Sequence, residues 1–349
     1  MNLLHDAPRI DLARPAPAAP PPVVPPDPPT LAPVVSVCIA NWNCRELLRK
    51  CLASLLAQDQ GVPFEVVVVD NASADAAADM VADEFPQVVL VRNAENLGFS
   101  RASNQAAELA RGEYLFFLNN DTEVGPFALL EFTAYADAHP EVGMIGPRLR
   151  GSDGHDQISY RRRPTLAALL HRVSLLRWTS LFRKAYYRYR RDTFDPDGVK
   201  PVEVLMGAAV FLPRAAFHAA GRWDEAYRFG VEDLDLSAQV GRRAGLVYVS
   251  HVQVLHHGRV SSRANIGFAA PNVAVGYVRY FRKAGVSKAA LLAYKALVTL
   301  DAPVQLAGKL VQSGVRRVTG RKEKAAKSLL AARGLWHFLR RELVRFWMA

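Results

Sequence analysis

The sequence predicts an α/β fold: a doubly wound, mostly parallel sheet with helices on both faces. Three observations carry this. Tyr114-Leu115-Phe116-Phe117-Leu118 is an unbroken apolar run, as in a strand buried on both faces, and it stops abruptly at Asn119-Asn120-Asp121-Thr122. Val66-Val67-Val68-Val69 repeats the design and stops at Asp70-Asn71. Segments of helical period separate such runs at the spacing of βα units. Ligands of open α/β sheets gather beyond the carboxyl ends of the strands, so Asp70 and Asp121 are expected to face one crevice.

Taken in order, residues 1–33 are rich in Pro and Ala, including Pro20-Pro21-Pro22, and are expected to form an extended, disordered leader. A strand over 34–39 breaks at Asn41-Trp42-Asn43. The helix expected over 45–57 gathers Leu47, Leu48, Cys51, Leu52, Leu55 and Leu56 on one face. After a strand over 64–69, Ser73 is expected to cap a helix with Asp75 in its first turn. A strand over 87–91, the turn Asn96-Leu97-Gly98-Phe99 and a helix over 100–110 ended by Gly112 lead to the central strand. A helix over 127–138 and a strand over 142–146 follow. Order is expected again in a strand over 202–212, which contains Gly207, and in a helix over 232–244 after Trp223-Asp224-Glu225. Short strands over 247–250 and 252–255 end at His256-His257-Gly258.

Charge is unevenly spread. Residues 277–349 hold 16 Lys/Arg against 3 Asp/Glu, whereas residues 1–276 hold 28 against 30. The tail, with helices expected over 287–300, 304–312 and 325–347, therefore reads as basic and amphipathic. Leu329, Leu330, Trp336, Leu339, Leu343, Phe346 and Trp347 are available for an apolar face, a pattern that suits an anionic membrane surface. Residues 161–191 add ten Lys/Arg and no acid, interleaved with Tyr. This stretch fits a lid that meets a lipid-linked diphosphate at a membrane surface or, less well beside the Asp/Asn strand ends, a nucleic-acid patch. No stretch of about 20 residues is free of charge, so no simple membrane span is expected. The thiols Cys38, Cys44 and Cys51 lack CxxC spacing and suit reduced, structural roles in a cytosolic protein.

Three acidic clusters need explaining: Asp70, Asp121 and Glu232-Asp233-Leu234-Asp235, to which His256 is added. Acids at a helix start are favourable by themselves. Phe229-Gly230-Val231 just before is a flexible entry that could present a carboxylate as a base for a hydroxyl.

Taken as a set, these segments resemble the family-2, GT-A-type glycosyltransferases. The matching pieces are Ser36-Val37-Cys38-Ile39-Ala40-Asn41-Trp42-Asn43, Val69-Asp70-Asn71-Ala72-Ser73, Asn96-Leu97-Gly98-Phe99, Leu118-Asn119-Asn120-Asp121-Thr122, Gly207-Ala208, Glu232-Asp233-Leu234-Asp235-Leu236, and His256 with Gly258 and Ser261. They cover residues 34–262 in consistent order and look most like the bacterial rhamnosyltransferase-like enzymes of cell-surface polysaccharide assembly. The resemblance implies a GT-A-like domain over 34–276, with a Rossmann-like nucleotide-sugar half (34–125) and an acceptor half (126–276), followed by the basic helical tail 277–349.

It also implies roles. Asn43, Asp70, Asn71, Arg101, Asn119, Asn120 and Asp121 would line the nucleotide-sugar pocket, with Asp70 accepting a hydrogen bond from a pyrimidine. Asp121 and His256 would bind Mg2+ or Mn2+ at the donor diphosphate. Asp233, beside Glu232, would be the general base, with Gly207 and Asp235 on the acceptor side. The reaction implied is an inverting transfer of a sugar, with rhamnose as the candidate, to a lipid-linked or polysaccharide acceptor. The protein would be cytoplasmic and peripheral on the inner face of the plasma membrane. Asn119 stands where the family's Asp-x-Asp signature has its first Asp, which reduces the charge offered to a cation, and the sequence leaves open whether His256 or His257 points inward. A non-catalytic nucleotide-sugar or polyanion binder on the same fold is the alternative. A nucleotidyltransferase is disfavoured because no Gly-rich pyrophosphate loop with a following Lys is present.

Overall fold

The computed structural model describes residues 32–57, 61–190, 194–258 and 266–349. The leader up to residue 31, Arg191 and Ser261 lie outside the described residues. In chain order, β1 (Val35–Asn41), α1 (Arg45–Leu56), β2 (Phe64–Asp70), α2 (Ala77–Glu84), β3 (Val89–Arg92), α3 (Phe99–Leu109) and β4 (Tyr114–Leu118) form the first half. There follow β5 (Thr122–Val124), α4 (Ala128–Ala138), β6 (Val142–Arg150), β7 (Tyr160–Arg161) and the short helices α5 (Leu166–Leu170), α6 (Ser174–Trp178) and α7 (Arg183–Arg190). β8 (Val199–Pro201), β9 (Val204–Leu205), β10 (Ala209–Pro213), α8 (Arg214–Ala219), α9 (Glu232–Val240) and β11 (Gly245–His256) complete the sheet region. The tail comprises α10 (Ile266–Lys283), α11 (Lys288–Val318), α12 (Lys322–His337), a π-helical turn (Phe338–Glu342) and α13 (Leu343–Met348).

The main sheet runs β3-β2-β1-β4-β10-β6-β11-β5, with β8 on β11. β3, β2, β1 and β4 are parallel, and β10 enters antiparallel between β4 and β6. The strands carry continuous Val, Ile and Phe because both faces are covered. On one face Phe132 stacks on Phe211, rings 5.0 Å apart and 4° from parallel, above Ile39, Leu48 and Leu52. On the other, Phe117 packs between Phe217 and Trp223 at 4.8 and 5.3 Å, with Ala102 and Ala106 of α3.

Several local expectations are corrected. Ser73 caps no helix: α2 starts at Ala77 after Ala76 in the left-handed region, and Ser73 bonds Asp70 instead. Gly112 does not end α3, which stops at Leu109 with Ala110 extended. A Cβ on Gly112 would lie 2.6 Å from the Ser36 nitrogen, so glycine there allows the chain to cross β1, and its N–H donates to Ser36 Oγ. The expected 202–212 strand is two strands hinged at Gly207, and the two short strands before His256 are one strand with a register shift between Val249 and Gln253.

The tail departs furthest. α10 runs through the boundary expected at residue 277, and α11 continues for 31 residues through Pro303 rather than breaking there. Pro303 lies on the exposed side, where a lost backbone bond leaves its carbonyl in water. By length and composition α11 could cross a bilayer. Two of its three mid-helix charges, however, are buried against protein: Lys295 donates to the Trp347 carbonyl (2.8 Å), and Asp301 accepts from the Ser174 N–H (2.9 Å). Nor do the tail's aromatics form one exposed face. The π-helical turn redirects α13, so Phe346 returns with Phe338 into a third core built from α9, α10, α11, Leu169 and Tyr189.

Candidate active site

The carboxyl ends of β1, β2 and β4 meet. Asn41 and Asp70 are directly paired across the ladder as the last residues of their strands. Asn41 Nδ2 donates to Asp70 Oδ1 (2.8 Å), and Asn41 Oδ1 accepts from Asn120 Nδ2 (2.7 Å). Asp70 also accepts from the Ser73 N–H (2.9 Å) and hydroxyl (2.6 Å). Three charge-assisted bonds hold this buried carboxylate and shape the loop after β2. Asn43, at φ +49°, links its backbone N–H to Ser73 Oγ and its side chain to the Ala74 N–H. Asn71 is buried and joins Gly98 and Asn93. Arg101 stands outside this network: its half-exposed side chain pairs loosely with Glu225 at 3.8 Å.

One residue after Asn120, Asp121 is buried and faces His256, with Oδ1 3.4 Å from Nε2. The register makes this contact, because β11 returns antiparallel to β5 with His256 opposite Thr122. His257 turns the other way and bonds Glu123 (2.6 Å). Gln157 fixes the His256 ring. Its Nε2 donates to the His256 carbonyl (2.8 Å), which can only accept, so Oε1 faces Nδ1 (2.7 Å) and Nδ1 carries the proton. Nε2 is left facing a carboxylate oxygen, and in the neutral ring its lone pair is the one available to a cation. Two ligands held about 2.1 Å from one cation span about this distance. Asp121 and His256 thus fit a divalent ion whose remaining positions are open to donor oxygens and water. Among the described residues no group of three His, Cys, Asp or Glu is placed to enclose a metal.

The third acidic cluster lies along the same rim. Asn119 N–H donates to the Ala208 carbonyl (2.9 Å), and a Cβ on the adjacent Gly207 would lie 3.2 Å from Asp233 Cβ. Gly207 lets the β9–β10 turn lie against that carboxylate. Asp233 accepts from Arg161 Nη2 at 3.0 and 3.2 Å, in an ion pair almost closed to solvent. Burial opposes the Arg161 charge, but Asp233 foremost holds its pKa above the usual guanidinium range. The neighbouring Glu232 is pushed up to about 8 by burial and then by Asp233, and its Oε2 is buried without a partner. Val231 precedes them at φ +78°, a strained conformation for a β-branched residue, held by packing against Gly276 of α10. Asp235, expected on the acceptor side, instead bonds Lys283 of α10 (2.5 Å).

Asp70, Asn41, Asn120, Asp121 and His256, and then Asn119, Gly207, Asp233 and Arg161, form one contiguous series of contacts; Arg101 and Asp235 stand outside it. Asn41, Ser73, Gln157 and Arg161 carry no individual site role in the sequence alone. Asn41 had a signal, a polar residue closing a buried strand. Arg161 was hidden as the first of three arginines, and Gln157 had none. Burial pushes the thiols up, Cys44 to about 11 and Cys51 to about 12, so they are poor nucleophiles.

The fold and this rim define a GT-A-type glycosyltransferase. The chain belongs to glycosyl transferase family 2, whose model matches residues 36–200. It is 31% identical over 239 residues to the N-acetylglucosaminyl-diphospho-decaprenol L-rhamnosyltransferase of Mycobacterium tuberculosis, across 64% of this chain and 76% of that one. It is 26% identical over 249 residues to the O-antigen biosynthesis protein RfbC of Myxococcus xanthus, across 67% of this chain and 18% of that one. Among solved structures, GalNAc-T7 with UDP, GalNAc and Mn2+ superposes at TM-score 0.53 and 17% identity, covering 73% of this chain and 48% of that one, a likeness of fold alone.

Proposed function

We propose that the chain transfers a sugar, with rhamnose as the candidate, from a nucleotide-sugar donor to a lipid-linked or polysaccharide acceptor, inverting the anomeric carbon. The acceptor oxygen bonds to that carbon, the bond to the diphosphate breaks with its electron pair leaving on the diphosphate, and Asp233 takes the hydroxyl proton. Arg161 holds the Asp233 carboxylate in one orientation. Glu232, its carboxyl pKa near 8, is mostly protonated at neutral pH and spares the pair a second negative charge. Asp70, Asn41 and Asn43 shape the wall where the nucleoside would lie, with Asn71, Asn119 and Asn120 alongside.

Asp121 and His256 would hold Mg2+ or Mn2+, which when bound offsets charge on the leaving diphosphate. The observation carrying the whole reading is Asp121 Oδ1 set 3.4 Å from His256 Nε2, with Gln157 bonded to Nδ1 of the same ring, on the same rim as Asp233. The mycobacterial relative is named for a lipid-linked diphospho-sugar acceptor, and that chemistry is carried over here. The basic tail supports a peripheral position on the anionic inner face of the plasma membrane.

Thermal stabilisation by a panel of nucleotide sugars, with and without Mn2+, should single out one donor and grow with the metal. Asp233→Asn should lower turnover by roughly 10²–10⁴-fold while nucleotide binding persists. Unchanged turnover would remove Asp233 from the reaction, and a wild-type chain with no turnover on any donor would leave a binding protein on this fold.

A further inference from the structure

Large apolar side chains are exposed on two adjoining elements. On α11, Leu300, Val304, Val311, Val315 and Val318 recur at helical spacing along one narrow stripe, and each is about half exposed or more. On the α6 corner, Leu175 and Leu181 are about two-thirds exposed and Trp178 is 90% exposed. The two elements are locked together where buried Asp301 accepts the Ser174 N–H and Gln305 donates to the Arg172 carbonyl. The apolar sets therefore belong to one fixed surface. Exposed cations flank it along the chain, Arg177, Arg183 and Lys184 at the end of α6 and the start of α7, and Arg317, Arg321 and Lys322 at the end of α11 and the start of α12. Residues 161–190 contain no acid, and the only one in α11 is the buried Asp301.

We infer that this α6–α11 surface, and not the C-terminal aromatic helix, is the face that docks on an anionic lipid bilayer. The proposal rests on the membrane partner put forward above and names the side chains that enter it. Aliphatic residues with one protruding Trp, framed by Lys and Arg, match the layered interface of a charged bilayer, where apolar groups reach the acyl boundary and cations stay at the headgroups. A second copy of the chain would set one cationic rim against another. Nucleic acid would gain contacts to the rim but nothing from a stripe of Leu and Val, which offers no surface for stacking bases. Because the inward charges of α11 are bonded to the protein, the helix would lie along the bilayer. The segment that carries Trp178 begins at Arg161, the residue gripping Asp233, so docking by this face would keep the acceptor end of the rim near the headgroups.

The test is co-sedimentation of the full chain with vesicles of phosphatidylcholine alone or with one-third phosphatidylglycerol. The variants are the triple Trp178→Ser, Val304→Ser, Val311→Ser and, as control, Trp336→Ser with Met348→Ser, all at exposed positions. Expected is salt-sensitive binding to the anionic vesicles, weakened roughly tenfold or more in the triple variant and little changed in the control. Melting temperature and nucleotide binding should match the wild type in both. Wild-type-like vesicle binding by the triple variant would overturn the assignment of this face while leaving the membrane partner standing. Absence of vesicle binding by the wild type would remove the partner itself. A wild-type dimer that the triple variant abolishes in sedimentation velocity, or tighter binding to random oligonucleotide than to vesicles, would replace the bilayer with another occupant.

Discussion

Glu232 and Asp233 are neighbours in sequence with opposite surroundings. Asp233 has Arg161, whereas Glu232 holds one buried, unpartnered oxygen and its carboxyl is pushed from 4.5 up to about 8. A carboxyl whose folded pKa is raised binds its proton more tightly in the folded state. It leaves stability intact below about pH 4.5 and removes it as pH rises toward 8, where the folded chain must hold the buried charge. Glu232→Gln should therefore match the wild type near pH 4 and melt progressively higher than it as pH approaches 8; parallel melting curves across that window would refute the burial of this charge. Gln157 acts at the same scale through the His256 ring. Gln157→Leu frees the ring and its tautomer, and Mn2+ affinity with nucleotide present should fall about 10–100-fold. Nucleotide binding without metal should not move, and an unaltered Mn2+ titration would mean His256 is not a ligand.

Among the elements, the parallel strands were legible because burial on both faces forces continuous Val, Ile and Phe, and because a strand end at a site must turn polar. Element ends read less well. Gly112 reads on local grounds as a helix stop, yet its role is to let the α3–β4 connection pass against β1. Gly112→Ala would press a methyl into the Ser36 and Val35 backbone, at 2.6 and 2.8 Å, and no rotamer can relieve that. The cost should be about 1–3 kcal/mol in urea unfolding, and a neutral result would show that β1 can shift at this point. The tail's apolar residues misled for a related reason. Amphipathic period reports that a face is covered but not by what, and Phe346 is covered by the protein.

For the whole molecule, the tail helices and the catalytic region share one core and one ion network. Lys283 reaches Asp224 (3.1 Å) and Asp235, and Arg279 reaches Asp224 (3.0 Å), joining α10 to α9 and to the turn after α8. Unfolding should be a single calorimetric transition, since the third core and this ion network are completed only when both parts are folded together. Lys283→Met would leave the buried Asp235 carboxylate without its cation and should cost about 1–3 kcal/mol, discounted because Lys283 is partly solvated. Two separate transitions in the wild type would instead mark the tail as an independent unit.

By itself the sequence determined the strand–helix order, the polar strand ends and the position of most side chains of the candidate rim, because each is written into local composition. Only the tertiary structure decided which groups meet. Gln157 and His256 are 99 residues apart, and Arg161 and Asp233 are 72 apart. The choice of His256 over His257 depends on a strand register in which a one-residue slip would turn every side chain to the other face. Such pairings follow from long-range ladders and shared cores, which leave no periodic trace in the chain.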